Sequence, residues 1–455
     1  MPARPRTSLR RYAAVVIWLP MFWLLCIVST VAANDLERLN LVDTQIEPVQ
    51  WSDLDGWAVD DHAAAFAAFR ASCVSIGRRP ARDERPLRTA LRAACQRVAA
   101  IKTPTADEAR AFFEENFRAV RIAKLGEASG LLTGYYEPIV EGSRFPSPEF
   151  YTPLYRRPRD LLVAGQKPGS GPFPNRASVV RLNANKQPEP YYDRLAIENG
   201  ALDGQRLEIC WIRDPFDAMS IQIQGSARVI LEDGTTLRVN YDAHNGHSYT
   251  AVGRILIERN LVAREEMSMD RIRRWMQANP DQAKELRGTN RSYVFFRVTG
   301  LSDDNEPAGA QGIPLTPGRS IAVDRVHVYG TPFFIEAELP IESARPVTKF
   351  RRLMVAQDTG SAIIGPARAD LYFGAGDDAG RIAGRIRQQG RFTMLIPRAF
   401  DIGKAEPVPL PLPKPAVGVE SAGDKEAAKP KPSLKSHQRL ETLAGPHTRR
   451  HRYRP

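Results

Sequence analysis

The sequence predicts an α+β protein, mainly β with helices, in which a second, smaller β-domain is inserted into the first. Short alternating runs of apolar and polar residues, separated by Gly, Pro and Asp-Gly turns, recur from residue 130 onward and predict strands. Helical periodicity fills the segment before them and interrupts them again after residue 248. The 455 residues, 43% of them hydrophobic and 25% charged, are enough for a sizeable core and two or three domains.

Residues 1–33 have the pattern of a secretory signal peptide. Several arginines precede an apolar run from Ala13 to Val28, and small residues end the segment at Ala33. We therefore expect export. The apolar run is also long enough to remain as a membrane anchor. Cys26 suggests lipidation, but the leucine before it is bulky where a small residue is needed. Membrane association is expected only through an uncleaved or lipidated N-terminus.

Residues 34–139 are predicted to hold a helical region and the start of the first β-domain. Apolar residues recur at helical spacing around Cys73 and again around Cys95, so each cysteine lies on an apolar helix face. The short connection makes these two helices antiparallel neighbours, and two alternatives stay open: a Cys73–Cys95 disulfide or two buried free thiols. A third helix is expected from Thr105, which forms a capping-box pattern with Glu108.

Residues 140–243 are predicted to form the small inserted domain, a barrel or a sandwich. The run from Met219 to Ile223 alternates and is interpreted as a strand, which places Gln222 and Gln224 together on its polar face. The pair Asp233-Gly234 between two apolar runs predicts a β-hairpin.

Residues 244–400 are predicted to complete the first β-domain. Helices follow from Ser248, strands resume near residue 293, and a last helix is expected from Asp377 through Arg387. Residues 401–455 are rich in Pro, Lys and Arg and are predicted to be a disordered basic tail, because they cannot bury a core.

The net charge of +12 permits a polyanionic partner. No basic patch with interleaved aromatic residues occurs, so nucleic acid is not expected. His244 and His247 lack accompanying Cys or acidic ligands, so we expect no metal.

Two carboxylates stand out in the apolar stretch from Val355 to Gly374. Asp370 lies between Ala369 and Leu371, and apolar surroundings raise the pKa of a carboxyl group, as proton donors in glycoside cleavage require. Asp358 opens a Thr-Gly turn, and plain turn chemistry is the alternative for it.

Six motifs in order along the chain resemble one family. The motifs are Leu132–Pro138, Ile221–Val229, Tyr241–Tyr249, Asn290–Phe296, Ile321–Asp324 and the stretch Asp358–Gly365 with Ala369–Gly374. Together they resemble the membrane-bound lytic murein transglycosylase A family. The part from about residue 320 to 400 resembles its three-aspartate (3D) domain, named for aspartates that match Asp324, Asp358 and Asp370.

The resemblance implies a double-psi β-barrel domain, built from both ends of the chain, with a smaller barrel inserted and a groove between them for a peptidoglycan glycan strand. It implies cleavage of the β-1,4 bond between N-acetylmuramic acid and N-acetylglucosamine, leaving 1,6-anhydromuramic acid ends. It implies no metal and no cofactor, a periplasmic location with attachment to the outer membrane in many members, and other cell-wall enzymes as candidate partners.

The catalytic acid of the family matches Asp370, with Asp358 and Asp324 as supporting acids. One carboxyl is chemically sufficient, because the nucleophile is the C6 hydroxyl of the sugar itself, held close to the reacting carbon. Tyr135 and Tyr136 offer faces for sugar stacking, although one of the two is expected to pack in the core. The predicted glycan-binding residues are Thr133, Gly134, Tyr135, Tyr136, Glu137, Gln222, Gln224, Gly225, Ser226, Asn245 and Gly246.

Two other functions are weighed against this one. A non-catalytic wall-binding protein would share the barrel and the basic charge. An aspartic protease would use the Asp-Thr-Gly at Asp358, but a monomeric protease needs two such loops and the sequence has one.

Overall fold

The computed structural model describes residues 41, 43–78, 85–164, 178–300 and 306–400. The predicted signal peptide and the predicted basic tail lie outside these residues. Every helix within the described ranges is too short or too polar to cross a membrane.

The described residues form nine α-helices, seventeen strands and three short 3-10 turns. The helices are α1 (His62–Arg78), α2 (Pro86–Val98), α3 (Ala106–Asn116), α4 (Arg194–Glu198), α5 (Pro215–Gln224), α6 (Val252–Glu258), α7 (Met269–Ala278), α8 (Pro280–Thr289) and α9 (Gly376–Ala383). The strands are β1 (Thr44–Pro48), β2 (Phe117–Lys124), β3 (Gly130–Glu137), β4 (Ile139–Ser143), β5 (Thr152–Tyr155), β6 (Leu162–Val163), β7 (Val179–Leu182), β8 (Pro188–Pro190), β9 (Glu208–Ile212), β10 (Ser226–Leu231), β11 (Thr236–His244), β12 (Val294–Gly300), β13 (Ser320–Val323), β14 (Pro332–Leu339), β15 (Thr348–Asp358), β16 (Arg368–Ala375) and β17 (Arg387–Pro397).

Six strands close into a barrel. Their order is β3, β16, β13, β15, β14 and β17, and the ring closes because β17 pairs with β3 as well as with β14. Two of the pairings, β3 with β16 and β13 with β15, are parallel. The strand β3 precedes the inserted domain and the other five follow it, so both ends of the chain build this barrel. The predicted fold class, α+β with an inserted β-domain, is confirmed.

A second sheet of six strands forms the inserted domain, in the order β12-β11-β10-β4-β9-β5. A bridge between Arg156 and Phe296 connects the chain after β5 to β12 and brings the two edges together. The sheet reaches beyond the predicted boundary at residue 243, because β12 pairs with β11. The predicted hairpin at Asp233-Gly234 joins β10 to β11, which pair antiparallel.

The helices α1, α2 and α3 pack on the barrel in one continuous core. Cys73 of α1 and Cys95 of α2 form a disulfide, the first of the two alternatives. The capping box at Thr105 is present, with its side chain accepting a hydrogen bond from the Glu108 N–H. Cys210 is a buried free thiol.

The run from Met219 to Ile223 is part of helix α5, so its interpretation as a strand was wrong. Asp214 caps the helix, its side chain accepting a hydrogen bond from the Phe216 N–H at 2.8 Å, and Pro215 occupies the first turn. Gly225 ends the helix with a φ of 85°. The capping residues at both ends favour a helix more strongly than the short alternation of apolar and polar residues favours a strand.

The last helix also differs from its prediction. The helix α9 ends at Ala383, and the residues from Arg387 onward belong to β17. Strand pairing with β3 and β14 takes over this segment, because β17 closes the barrel.

Candidate active site

One row of paired residues crosses four barrel strands and carries both aspartates of the 355–374 stretch. Ala322 on β13 pairs with Asp358 at the end of β15 and, on its other side, with Asp370 on β16. Asp370 pairs in turn with Thr133 on β3. Paired residues of neighbouring strands point to the same face, and strands lie about 4.8 Å apart. The two aspartates therefore share one face of the barrel, with their backbones about 10 Å apart.

The carboxylate of Asp370 is held by two neighbours. Its Oδ1 accepts hydrogen bonds from the Arg368 guanidinium and from the Thr133 hydroxyl. Arg368 also donates to the Thr133 Oγ1 at 2.8 Å, which closes a triangle of three side chains. The Asp370 side chain keeps 22% of its surface exposed, so a substrate can reach it.

The predicted apolar surroundings of Asp370 were wrong. Ala369 and Leu371 are fully buried, but they join the barrel core on the opposite face of β16. Strand side chains alternate between faces, so sequence neighbours do not surround the carboxylate. Its actual neighbour is Arg368, two residues earlier on the same face, and the sequence interpretation missed it. The period-two spacing of Arg368 and Asp370 is the signal that could have found this contact.

Asp358 is half-buried at the edge of the interdomain cleft, and the protein around it desolvates its carboxyl group. Burial raises the pKa of Asp358 to about 6, and the charge of Asp370 adds to the shift. Hydrogen bonds from the N–H groups of Ala310, at 2.8 Å, and Thr359, at 2.9 Å, lower this pKa, and the nearby Tyr135 hydroxyl lowers it as well, so together they limit the rise. The net result is a pKa for the Asp358 carboxyl above its usual value of 3.8.

Asp324 braces two loops of the barrel. Its Oδ2 accepts a hydrogen bond from the Gly365 N–H at 2.7 Å, and its Oδ1 accepts one from Val326 at 3.3 Å. The side chain is buried. Asp324 thus fixes the loop after β13 and the loop between β15 and β16, the two strands that carry Asp358 and Asp370.

Tyr135 and Tyr136 point to opposite faces of β3. Tyr135 is buried, packs against Tyr372 with ring centroids 5.1 Å apart, and faces Asp358. Tyr136 lines a different, smaller cleft, together with Asp217 and Arg273. Only one of the two tyrosines therefore lies beside the aspartates.

A cleft of about 720 Å³ lies beside Asp358 and is lined by both β-domains. From the barrel domain, Tyr135, Asp358 and Ser361 contribute. From the inserted domain come the predicted residues Gln222, Gln224, Gly225 and Ser226. Asp370 is not among the lining residues, and lies two strands from Asp358 across β13.

The two glutamines reach the cleft from a helix end, not from a strand face. Gln224 accepts a hydrogen bond from the Tyr136 N–H at 3.1 Å, which ties α5 to β3. Gln222 is buried beside Tyr293. Gly225 has open space where a Cβ would lie, so its left-handed backbone explains the glycine better than crowding does.

Four of the predicted glycan-binding residues have structural roles. Glu137 has no exposed surface, and its carboxylate pairs with Arg228 at 2.6 Å and Arg238 at 3.3 Å. A Cβ on Gly134 would lie 2.7 Å from the Ala383 Cα, so this glycine lets α9 approach β3.

Asn245 is buried, and its side chain is fully engaged with backbone groups. Its amide donates to the carbonyls of Tyr192 and Arg291, both at 2.9 Å, and its Oδ1 accepts from the Tyr293 N–H at 2.9 Å. Gly246 donates to the His244 Nδ1 at 2.9 Å within the same turn. The prediction that the side chains of Glu137 and Asn245 contact the glycan is therefore corrected. Both side chains are buried and hold neighbouring parts of the chain in place.

The segment from Glu306 to Leu315 was not predicted to take part in the site. Ala310 binds Asp358, and the Ala308 carbonyl accepts a hydrogen bond from Asn240 of the inserted domain at 3.2 Å. The Tyr372 hydroxyl donates to Glu306 at 2.5 Å. This segment connects the two domains across the cleft, and it carries no motif that sequence reasoning could have used.

Among the residues that the structure describes, no group of three His, Cys, Asp or Glu side chains is placed to hold a metal ion.

Comparison with known proteins gives matches over most of the described chain. The profile of the MltA specific insert domain matches residues 131–297, and that of the 3D domain matches residues 319–396. Membrane-bound lytic murein transglycosylase A of Vibrio cholerae is 33% identical over 286 residues, which cover 61% of this chain and 69% of that protein. The Escherichia coli protein of the same name is 33% identical over 267 residues, 58% of this chain and 64% of that protein.

Solved structures agree with these relatives. A membrane-bound lytic murein transglycosylase from Agrobacterium tumefaciens has a TM-score of 0.69 and 34% identity, and the match covers 78% of this chain and 98% of that one. E. coli MltA with bound chitohexaose has a TM-score of 0.55 and 26% identity, with coverage of 73% and 90%. With its closed barrel, its insert and its row of aspartates, this chain belongs to the membrane-bound lytic murein transglycosylase A family.

Proposed function

We propose that this protein is a peptidoglycan lytic transglycosylase in which Asp370 acts alone, first as acid and then as base. The observation that carries the proposal is the position of Asp370. Its carboxyl is accessible, fixed by Arg368 and Thr133, and lies on the barrel face that also presents Asp358 to the interdomain cleft. Geometry of this kind fixes a proton donor beside an extended substrate.

The reaction uses the Asp370 carboxyl twice, because it gives one proton to the leaving oxygen and then takes a different proton from the C6 hydroxyl. Asp370 in its acid form donates a proton to the glycosidic oxygen, and the bond from that oxygen to C1 of the muramic acid breaks. The C6 hydroxyl of the same sugar then attacks C1, and its proton passes to the Asp370 carboxylate. The products are a 1,6-anhydromuramic acid end and a free hydroxyl on the N-acetylglucosamine, and no water is consumed.

Arg368 and Thr133 position the carboxyl and stabilise its charge after the first proton transfer. Both bind the same oxygen, Oδ1, which leaves Oδ2 free of them to face the scissile bond. A charge-assisted hydrogen bond of this type restricts the side chain to one rotamer. Proximity of the C6 hydroxyl replaces the second carboxylate that other glycosidases require.

Asp358 is a supporting group in this proposal. The charge of Asp370 raises the pKa of Asp358, so the two carboxyl groups lie in one region, and Asp358 accepts a hydrogen bond that holds the Ala310 segment beside the cleft. Asp324 fixes the neighbouring loops. We assign the sugar contacts to Gln224, Gly225, Ser226 and Tyr135, which line the same cleft.

We further propose that the protein acts on peptidoglycan strands in the periplasm. Its relatives carry membrane-bound in their names, and peptidoglycan lies outside the cytoplasmic membrane. Attachment to the outer membrane and association with other cell-wall enzymes belong to the same proposal.

The test is digestion of purified sacculi, followed by mass spectrometry of the released muropeptides. The wild-type protein and the control Asp378→Asn, which changes an aspartate with 85% of its side chain exposed on α9, should both release anhydromuramoyl products. Asp370→Asn should release almost none while still binding sacculi. Reducing ends would instead identify a hydrolase, and binding without any product from the wild-type protein would favour a wall-binding function.

A further inference from the structure

Helix α1 contacts the segment of residues 306–315 that connects the two domains across the cleft, here called the cleft segment. The Ser72 hydroxyl donates a hydrogen bond to the Gln311 Oε1 at 3.0 Å, and the Ser75 hydroxyl donates one to the Gln311 carbonyl at 3.0 Å. Ser72 and Gln311 are both buried. The helix therefore binds the side chain and the backbone of one residue of the cleft segment.

Gln357, the residue before Asp358, joins the helix and the cleft segment to the barrel. Its Nε2 donates hydrogen bonds to the Ser72 Oγ and to the Ala68 carbonyl, both at 2.8 Å. Its carbonyl accepts a hydrogen bond from the Gln311 N–H at 3.0 Å. Ser72, Gln311 and Gln357 thus form one buried polar cluster that links α1, the cleft segment and the end of β15. A buried cluster with several mutual hydrogen bonds holds its elements in one arrangement.

The cleft segment forms part of the cleft wall. Ala308, Gly309 and Ala310 line the cleft beside Asp358. The Ala310 N–H donates a hydrogen bond to the Asp358 carboxylate at 2.8 Å. A Cβ on Gly309 would lie 2.6 Å from the Gln357 carbonyl oxygen, so the segment approaches the end of β15 too closely for a side chain. Any displacement of the segment therefore moves the wall of the cleft.

Helix α1 is a firm support for this contact. Cys73, which follows Ser72, forms the disulfide with Cys95 of α2. Phe66 and Phe69 of α1 are fully buried in the core that the helices share with the barrel. The helix is thus fixed on both sides of the serine that contacts the cleft segment.

We propose that Ser72, Gln311 and Gln357 are positioning residues that set the affinity of the cleft for the glycan, because they hold the cleft segment against Asp358. The inference rests on the proposed function and extends it to helix α1, whose residues do not line the cleft. A ligand that requires one position of a segment binds more weakly when the segment spends less time in that position. Loss of the cluster should therefore weaken glycan binding and leave the chemical step, which belongs to Asp370, unchanged.

Binding of chitohexaose to Asp370→Asn protein measures this effect without a chemical step. Ser72→Ala and Gln311→Ala, each in that background, should raise the Kd for chitohexaose about fivefold, the factor that corresponds to about one hydrogen bond. With Asp370 intact, KM for peptidoglycan strands should rise by the same factor at unchanged kcat. An unchanged Kd, or a fall in kcat at constant KM, would overturn the inference.

Asn116→Ala is the matched control. Asn116 is another buried amide of the helical region, and its side chain bonds the Phe112 carbonyl at 2.8 Å and Arg97 at 2.6 Å. The control loses comparable hydrogen bonds within the helices, so it should lower the midpoint of denaturant unfolding and leave the Kd for chitohexaose at its original value. A rise in Kd equal to that of Gln311→Ala would assign the effect to a general loss of stability and overturn the inference.

Gly309→Ala displaces the cleft segment without changing the helix. It should raise the Kd for chitohexaose by at least the same factor, because the added Cβ conflicts with the Gln357 carbonyl. An unchanged Kd would show that the position of the segment does not set the affinity, and would overturn the inference. Failure of the wild-type protein to release anhydro products would count against the proposed function alone, because chitohexaose binding is measured independently of the products.

Discussion

Asp358 and Asp370 occupy the same row of the barrel, yet their surroundings are opposite. Asp358 is close to the interdomain cleft, and its burial raises its pKa to about 6 against the hydrogen bonds of two backbone N–H groups. Asp370 is partly exposed and held by Arg368 and Thr133. Burial thus raises the pKa of Asp358, whereas Asp370 has a partly exposed carboxyl that two neighbours hold in place. A raised pKa does not by itself identify the proton donor.

The largest expected effect is that of Asp370→Asn. Removing the proposed acid and base should lower the rate of anhydromuramoyl formation by about 10³-fold, since general acid–base catalysis contributes about 10²–10⁴-fold. Affinity for sacculi should stay close to the wild-type value, because the asparagine preserves the shape of the side chain. A measured rate within tenfold of wild type would remove Asp370 from the mechanism.

Arg368→Gln is expected to have the next largest effect. It leaves the Asp370 carboxylate with Thr133 as its remaining described partner, so kcat should fall by about 10- to 100-fold with little change in KM. Arg368→Lys keeps the charge and should recover part of kcat. The check is a full saturation curve for each variant, and a rise in KM at constant kcat would assign Arg368 to substrate binding instead.

Asp358→Asn is expected to affect stability in a pH-dependent manner. The folded-state pKa, about 6, is above the usual 3.8, so the folded protein favours the neutral carboxyl. The stability that this provides is fully present below about pH 4 and is lost as pH rises through 6. Asparagine does not ionise and so avoids this loss. At pH 8 the free energy of unfolding of the variant should therefore exceed that of the wild type by about 1–2 kcal/mol, after allowance for solvent screening.

Denaturant unfolding at pH 4 and pH 8 measures this effect. The difference between the variant and wild type should be much smaller at pH 4. A difference independent of pH would mean that Asp358 is not the group that titrates near 6.

Tyr135→Phe should have the smallest effect. The Tyr135 hydroxyl lowers the pKa of Asp358, so its loss should move that pKa further upward. The pH-dependent part of the stability curve should then shift to higher pH. An unchanged curve would show that the hydroxyl does not act on Asp358.

Local patterns predicted much of this fold. The capping box at Thr105, the Asp233-Gly234 hairpin and the opposite directions of Tyr135 and Tyr136 all follow from short-range rules. Helix α5 was taken for a strand, although its Asp-Pro start and Gly end were visible in the sequence.

The site was harder to predict than the fold, because it depends on pairings between distant strands. Asp358 and Asp370 come together through Ala322 of a third strand, and Thr133 arrives from a strand more than two hundred residues earlier. The sequence neighbours of Asp370 suggested that its surroundings are apolar. Because side chains alternate along a strand, those neighbours point into the core on the opposite face. Resemblance to a family indicated which aspartate to choose, and only the structure gave its partners.

The most direct measurement compares Asp358→Asn and Asp370→Asn side by side, by the rate of 1,6-anhydromuramoyl formation from purified glycan strands under single-turnover conditions. We expect Asp358→Asn to retain about a tenth or more of the wild-type rate and Asp370→Asn to retain about a thousandth or less. The reverse order, with Asp370→Asn active and Asp358→Asn inactive, would contradict the assignment of Asp370 as the acid and base, and would give that role to Asp358 instead.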